Sequence, residues 1–122
     1  MKSPYKGKTG LTRLWNALGY SMQGFRAAYQ HEDAFRMELV AAALAIPVAL
    51  WLPVGNIGKA LMVSSILLVL LVELVNSAIE ATVDRISLED HDLAKRAKDI
   101  GSAAVLVSLI NAAAVWALVL FA

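Results

Sequence analysis

The sequence predicts an all-α membrane protein, with three transmembrane helices preceded by an N-terminal amphipathic surface helix. Three observations carry that expectation. Of the 122 residues, 59% are hydrophobic, against roughly 45–50% in soluble domains, and the mean hydropathy is +0.63. A soluble globule this small hides too little of its area to bury that excess, so lipid is the natural solvent for it. The apolar residues are also gathered into runs, and 39–52, 60–72 and 100–122 contain no charge. Finally, the residues ahead of the first run are apolar only at helical spacing. One integral membrane domain spanning 1–122 is expected.

Residues 1–10 are basic, contain Gly and Pro, and lack periodicity, so a loose tail is expected there. From Leu11 a stripe begins, and Leu11, Leu14, Trp15, Leu18, Met22, Phe25 and Tyr29 recur at intervals of three and four. Arg13, Asn16, Gln23 and Arg26 fall mostly off it. This pattern predicts a helix over about 11–30 lying on the membrane surface, with a break near Gly19 or Gly24. Packing of the same stripe on the rest of the protein is compatible with that reading.

The run 39–52 is short for a span, which needs about 20 residues. Extension to about 34–53 supplies the length and places Arg36 and Glu38 near one end, where long side chains snorkel to the interface. Pro47 removes one helical hydrogen bond and predicts a kink, which membrane helices accept more readily than soluble ones. Trp51 marks an interface, and residues 53–58 read as a tight turn. A second span is expected over about 59–86, then a polar connection over 87–99, then a third span over about 100–122. The small residues Gly101, Ala103, Ala104 and Ala112 permit close helix packing in the third.

Charge sets the expected orientation. Lys2, Lys6, Lys8, Arg13, Arg26 and Arg36 precede or open the first span, and Arg85, Lys95, Arg96 and Lys98 flank the second connection. The first connection holds only Lys59, and the C-terminus has neither lysine nor arginine. The N-terminus and the 87–99 connection are therefore expected in the cytoplasm, and the Pro53 turn and Ala122 on the opposite side. No cleavable signal peptide is expected, because no apolar core follows the basic N-terminus before Leu39. A net charge of +1, with no basic stretch interleaved with aromatics, argues against nucleic acid. The absence of cysteine excludes disulfides and thiolate chemistry.

The informative feature is Glu73, Asn76, Glu80 and Asp84. Their spacings of three, four and four place all four on one helical face. A carboxylate deep in a membrane helix costs on the order of 2.5–3.5 kcal/mol on insertion scales, and points to function. Polar glue between helices of an oligomer is the alternative. With about 1.5 Å of rise per residue, Glu80 falls near the cytoplasmic interface and Glu73 about 10 Å deeper. A soluble donor could meet Glu80 while a membrane-held acceptor reaches Glu73. Glu32 and Asp33 lie at the same interface, and carboxylates there suit Mg²⁺ together with phosphate. Lys98 and Asp99 sit where the second connection enters the third helix.

Other motifs are weaker. Gly7-Lys8-Thr9 imitates the end of a phosphate loop, but Lys2 stands where its first glycine belongs, and the segment 55–59 fails as well. His31 and His91 are lone histidines on polar segments. Neither a protein-kinase signature nor a Gly-x-Ser-x-Gly elbow is present. Phosphoryl transfer in such a chain would rest on carboxylates, metal and positioning.

The stretch Val72-Glu73-Leu74-Val75-Asn76-Ser77-Ala78-Ile79-Glu80-Ala81-Thr82-Val83-Asp84-Arg85-Ile86 closely resembles the signature of the prokaryotic diacylglycerol kinase family. So do Gly19-Tyr20-Ser21, Arg26-Ala27-Ala28, Glu32, Ala34-Phe35-Arg36 and Arg96-Ala97-Lys98-Asp99-Ile100-Gly101-Ser102-Ala103-Ala104. The likeness covers nearly the whole chain. It implies a homotrimer in the bacterial inner membrane, with composite sites at the cytoplasmic interface, and MgATP-dependent phosphorylation of diacylglycerol to phosphatidic acid. By the same resemblance, Glu73 is the base for the lipid hydroxyl, Glu32 and Glu80 are metal ligands, and Asn76 supports them. Arg13, Tyr20, Lys98 and Asp99 resemble nucleotide contacts, as do Glu89, Asp90 and His91. Ser21, Arg26, Trp51, Lys59 and Ser102 resemble positions lining the lipid site. The chain departs from the family's pattern at Met22 and Gln23, where tryptophan and lysine are expected.

Three other readings compete with this one. Undecaprenol kinase shares the carboxylate core, although Ser77 and Asp84-Arg85-Ile86 look more like the diacylglycerol branch. A non-enzymatic oligomeric subunit would use Glu73 as glue. A proton-coupled transporter would normally need more spans or internal repeats, and neither is present.

Overall fold

The computed structural model describes residues 10–86 and 92–122, and the expected nucleotide contacts Glu89, Asp90 and His91 lie outside the described residues. Four helices follow one another: α1 (Gly10–His31), α2 (Asp33–Trp51), α3 (Asn56–Ile86) and α4 (Asp92–Phe121). The last three are long and apolar enough to cross a membrane. α1 is not among them. It carries Leu11, Leu14, Trp15, Leu18 and Met22 exposed along one stripe, as an amphipathic surface helix requires.

α1 runs unbroken through Gly19 and Gly24, contrary to the expected break. The glycines there cost some helix propensity, but the flanking residues carry the helix through. The interruption comes instead at Glu32, whose extended backbone (φ −121°, ψ 106°) separates α1 from α2. The turn is a single residue long. Glu32 N–H still donates to Ala28 O at 2.9 Å, and Arg36 N–H donates to Glu32 O at 3.2 Å. Arg36 completes the junction by donating to the Tyr29 and Gln30 carbonyls (2.6 and 3.2 Å) and pairing with Asp33. A cation on the last carbonyls of a helix satisfies groups that have no intrahelical partner.

α2 contains Pro47 within its length, and its buried residues Phe35, Ala42 and Ala49 recur every seven, forming one stripe against α3. The first connection is shorter than expected. α2 ends at Trp51 and α3 begins at Asn56, so Gly58 and Lys59 are helical. The Lys59 amine donates to Leu50 O at 2.8 Å, capping α2 from the next helix.

α3 and α4 form the main packed pair. Their antiparallel register is fixed at four levels. A Cβ at Gly58 would stand 3.0 Å from Val119, and Trp116 Nε1 donates to Ser65 Oγ (3.1 Å) and Met62 O (3.3 Å). Gly101 abuts Asn76, and Lys98 pairs with Asp84 at 2.7 Å. α4 starts at Asp92 rather than Ile100, because the polar residues 92–99 continue the helix beyond the apolar run. Helices α3 and α4, of 31 and 30 residues, are each about 45 Å long, so they outreach a hydrocarbon core of about 30 Å.

Candidate active site

The buried stripe of α3 is Met62, Ser65, Val69, Glu73 and Asn76. Its first three members pack against α2 and α4 as a helix core should. The next two place a carboxylate and an amide where apolar side chains belong, with Glu73 only 4% exposed and Asn76 8%. Glu80 continues the row at partial exposure, and Asp84 ends it in contact with Lys98. Asn76 Nδ2 reaches Glu80 Oε1 at 3.4 Å, a long contact that leaves the carboxylate most of its bonding capacity.

Three further carboxylates bear on Glu73. Glu38 of α2 lies beside it, and Glu32 and Glu80 are its further acidic neighbours. Glu38 is the residue that sequence reasoning misplaced. Near the end of an apolar run it reads as snorkelling to the interface, yet its Oε2 is buried without a partner. The signal was present in its register: Glu38 lies between Phe35 and Ala42 on the one stripe of α2 that faces α3.

Glu32 sits at the α1–α2 break with no side-chain cap bond, so its carboxylate is uncommitted to the helix it starts. It also lines a groove of ≈ 530 Å³ between α1 and α3, together with Ser21, Phe25, Ala28, Leu74 and Ser77. The volume suits a small-molecule or lipid headgroup site. No group of three or more His, Asp or Glu able to hold a metal occurs among the described residues. A donor set of one or two carboxylates is nevertheless what Mg²⁺ takes when phosphates and water supply the rest, so Glu32 and Glu80 fit that ion in company with a nucleotide.

Buried polar atoms without a partner converge here. Among the described residues they are Glu38 Oε2, Asn76 Oδ1 and Ser77 Oγ, all within two helical turns of Glu73 in α3 or facing it from α2. Leaving such atoms unpaired costs about 1–3 kcal/mol each, and their concentration around Glu73 makes this part of the fold the candidate site.

The other expected site residues are distributed around this centre. Arg13, Tyr20 and Arg26 lie on the exposed surface of α1. Ser21 lines the groove, its hydroxyl donating to Ala17 O at 3.0 Å. Lys98 and Asp99 occupy the first turns of α4, Lys98 on Asp84 and Asp99 on Lys95, each at 2.7 Å. Ser102 is exposed one residue beyond Gly101. Trp51 and Lys59 are not brought to Glu73, since Lys59 stands about 21 Å away along α3. From sequence Gly101 is expected only to permit close packing. In the structure it is where α4 passes against the Asn76 amide, with no room for a side chain.

Comparison with known proteins agrees with this geometry. The family described as prokaryotic diacylglycerol kinase matches residues 19–120. Diacylglycerol kinase of Pseudomonas aeruginosa is 54% identical over 118 residues, covering 97% of this chain and 96% of that protein. The Escherichia coli (strain K12) enzyme of the same name is 53% identical, over 93% of each chain. The Helicobacter pylori (strain J99) one is 40% identical over 94% of this chain and 89% of its own.

Proposed function

Because the chain belongs to the prokaryotic diacylglycerol kinase family, and is a membrane-embedded lipid kinase of that kind, we propose that Glu73 is the base for phosphoryl transfer from ATP to diacylglycerol. The observation that carries this assignment is the buried Glu73 carboxyl, surrounded by unpaired polar atoms and set beside a groove that opens between α1 and α3.

Diacylglycerol lies in the groove with its free hydroxyl toward Glu73. Glu73 takes the hydroxyl proton as the lipid oxygen bonds to the γ-phosphorus, and the bond from that phosphorus to the ADP oxygen breaks. ADP leaves, and phosphatidic acid remains in the membrane. Such a transition state offers the protein little covalent chemistry, so positioning and charge account for the rate. Glu32 and Glu80 would hold Mg²⁺ in company with ATP, and Asn76 would steady Glu80. When bound, the ion would supply neutralisation of phosphate charge. Lys98 and Asp99, with Arg13 and Tyr20 from α1, contact the nucleotide, while Ser21, Arg26 and Ser102 border the lipid. Trp51 and Lys59 meet the acyl chains at the far end.

The apolar residues left exposed on α4, among them Leu106, Val107 and Ile110, suit contact with lipid and with further copies in a homotrimer. The lysine and arginine distribution favours a cytoplasmic N-terminus in the bacterial inner membrane, with Ala122 on the opposite side.

The test is phosphate transfer from ATP to diacylglycerol and to undecaprenol, side by side, in lipid-like detergent. Wild-type protein labels diacylglycerol preferentially and only with Mg²⁺ present. Glu73→Gln lowers turnover by about 10²–10⁴-fold, the usual worth of a general base, with the oligomer intact. Preferential labelling of undecaprenol would replace the acceptor. Full activity of Glu73→Gln would remove Glu73 from the chemistry.

A further inference from the structure

We propose that Arg36 is a positioning residue for the metal-binding carboxylate: it holds the chain bent at Glu32 and so aims that carboxylate into the groove between α1 and α3. The inference rests on the lipid-kinase reading above, which gives Glu32 to Mg²⁺ and leaves open what directs it there.

Nothing in the local sequence breaks the helix at this point. The segment Gln30-His31-Glu32-Asp33-Ala34 has neither Gly nor Pro, and Glu32 lacks the side-chain bond that ordinarily starts a helix. The backbone bonds that flank the bend keep helical spacing, since Glu32 N–H donates to Ala28 O and Arg36 N–H to Glu32 O. Glu32 itself is nevertheless extended. In a continuous helix the Tyr29 and Gln30 carbonyls would accept from the N–H groups of Asp33 and Ala34. Here the Arg36 guanidinium donates to both carbonyls, at 2.6 and 3.2 Å. It also pairs with Asp33 and lies 6.0 Å from the centre of the Tyr29 ring. Arg36 thus competes for the acceptors that a continuous helix needs. Its rigid fork puts one nitrogen on the two carbonyls and the other on Asp33, a geometry that a lysine ammonium does not fix.

The bend decides where Glu32 points. Glu32 lines the groove with Ser21, Ala28, Leu74 and Ser77, and it joins Glu80 among the acidic neighbours of Glu73. Were the bend lost, residues 10–51 would form one helix of about 63 Å, and Glu32 would turn with it. Two carboxylates that must close on one ion would then separate. Arg36 acts through the Glu32 backbone and does not itself touch the ion.

The experiment compares the purified full-length oligomer with its Arg36→Ala and Arg36→Lys variants, each alone and combined with Glu32→Gln. Mn²⁺ stands in for Mg²⁺, and its binding in the presence of a non-hydrolysable ATP analogue is followed by electron paramagnetic resonance. The half-saturating Mg²⁺ for turnover and KM for diacylglycerol are measured alongside. Arg36→Ala should weaken Mn²⁺ binding roughly tenfold, as loss of the support behind a metal ligand does, and should raise the half-saturating Mg²⁺ in step. KM for diacylglycerol should stay unchanged. Arg36→Lys, which keeps the charge without the fork, should show the same loss, and it carries the test should alanine prevent assembly. With Glu32→Gln already present, neither Arg36 substitution should weaken Mn²⁺ further. Unchanged Mn²⁺ affinity in the single variants, or an equal further loss on top of Glu32→Gln, would overturn the proposal while the kinase reading stood. Failure of the wild-type protein to phosphorylate diacylglycerol would overturn the kinase reading and the proposal with it.

Discussion

Substituting Gly101 by alanine introduces one methyl group at the point where α4 crosses the polar row of α3. That Cβ would overlap Asn76 Oδ1 and stand 3.2 Å from Asn76 Cγ, so the amide has to move. Two opposite terms act on stability. Alanine improves helix propensity over glycine by about 1 kcal/mol, and overpacking costs about 1–3 kcal/mol, so the net loss is about 2 kcal/mol at most. Activity is more sensitive. Displacing Asn76 by on the order of 1 Å breaks its long contact to Glu80 (3.4 Å) and disturbs groups adjacent to the transferred phosphoryl, and misplacement of that size costs about 10²-fold in rate. The assay is kcat for diacylglycerol phosphorylation by Gly101→Ala, Asn76→Ala and the double variant, with thermal unfolding of the detergent-solubilised oligomer measured alongside. If Gly101 acts through Asn76, the double variant is no slower than Asn76→Ala. Additive losses in the double variant, or wild-type turnover in Gly101→Ala, would refute the reasoning.

Two other perturbations separate function from stability. Glu38→Leu removes an acid that bears on Glu73 and replaces it with a side chain the bilayer prefers; kcat should fall at least tenfold while the oligomer's melting temperature holds or rises, whereas Glu38→Gln, which keeps a donor, should retain most activity. Asp84→Asn breaks the Lys98 pair, whose partners are 51% and 43% exposed; stability should change by less than about 1 kcal/mol, but KM for ATP should rise several-fold and KM for diacylglycerol should not, as measured by initial rates at varied ATP.

The three apolar runs, the stripe of α1 and the Glu73–Asn76–Glu80 row were all legible in the sequence, because each is a local pattern of one helix. What escaped depends on which faces meet. α2 is apolar almost all round, so its composition does not reveal the stripe that turns to α3, and Glu38 passed for a residue reaching toward water. Gly101 has the pattern of any small residue of a packed membrane helix, and only the structure sets Asn76 against it. The one-residue turn at Glu32 lacked a Gly or Pro to mark it; Arg36 holds it from the following helix. The early start of α4 was hidden because the hydropathy of 92–99 describes where the bilayer ends, and the hydrogen-bonded helix continues past that plane.

The uninterrupted course of α3 from Asn56 to Ile86 makes this helix a depth gauge. Its Lys59 end is tied to Leu50 at one face of the bilayer, and Glu73 rides at a set height of about 21 Å above that anchor. No loop or hinge between them adjusts the spacing. The glycerol backbone of a lipid, however, sits at a level dictated by the thickness of the leaflet that holds it. If Glu73 is the base proposed above, whether hydroxyl and carboxyl meet depends partly on the host membrane, and turnover is expected to vary with acyl length in the surrounding lipids.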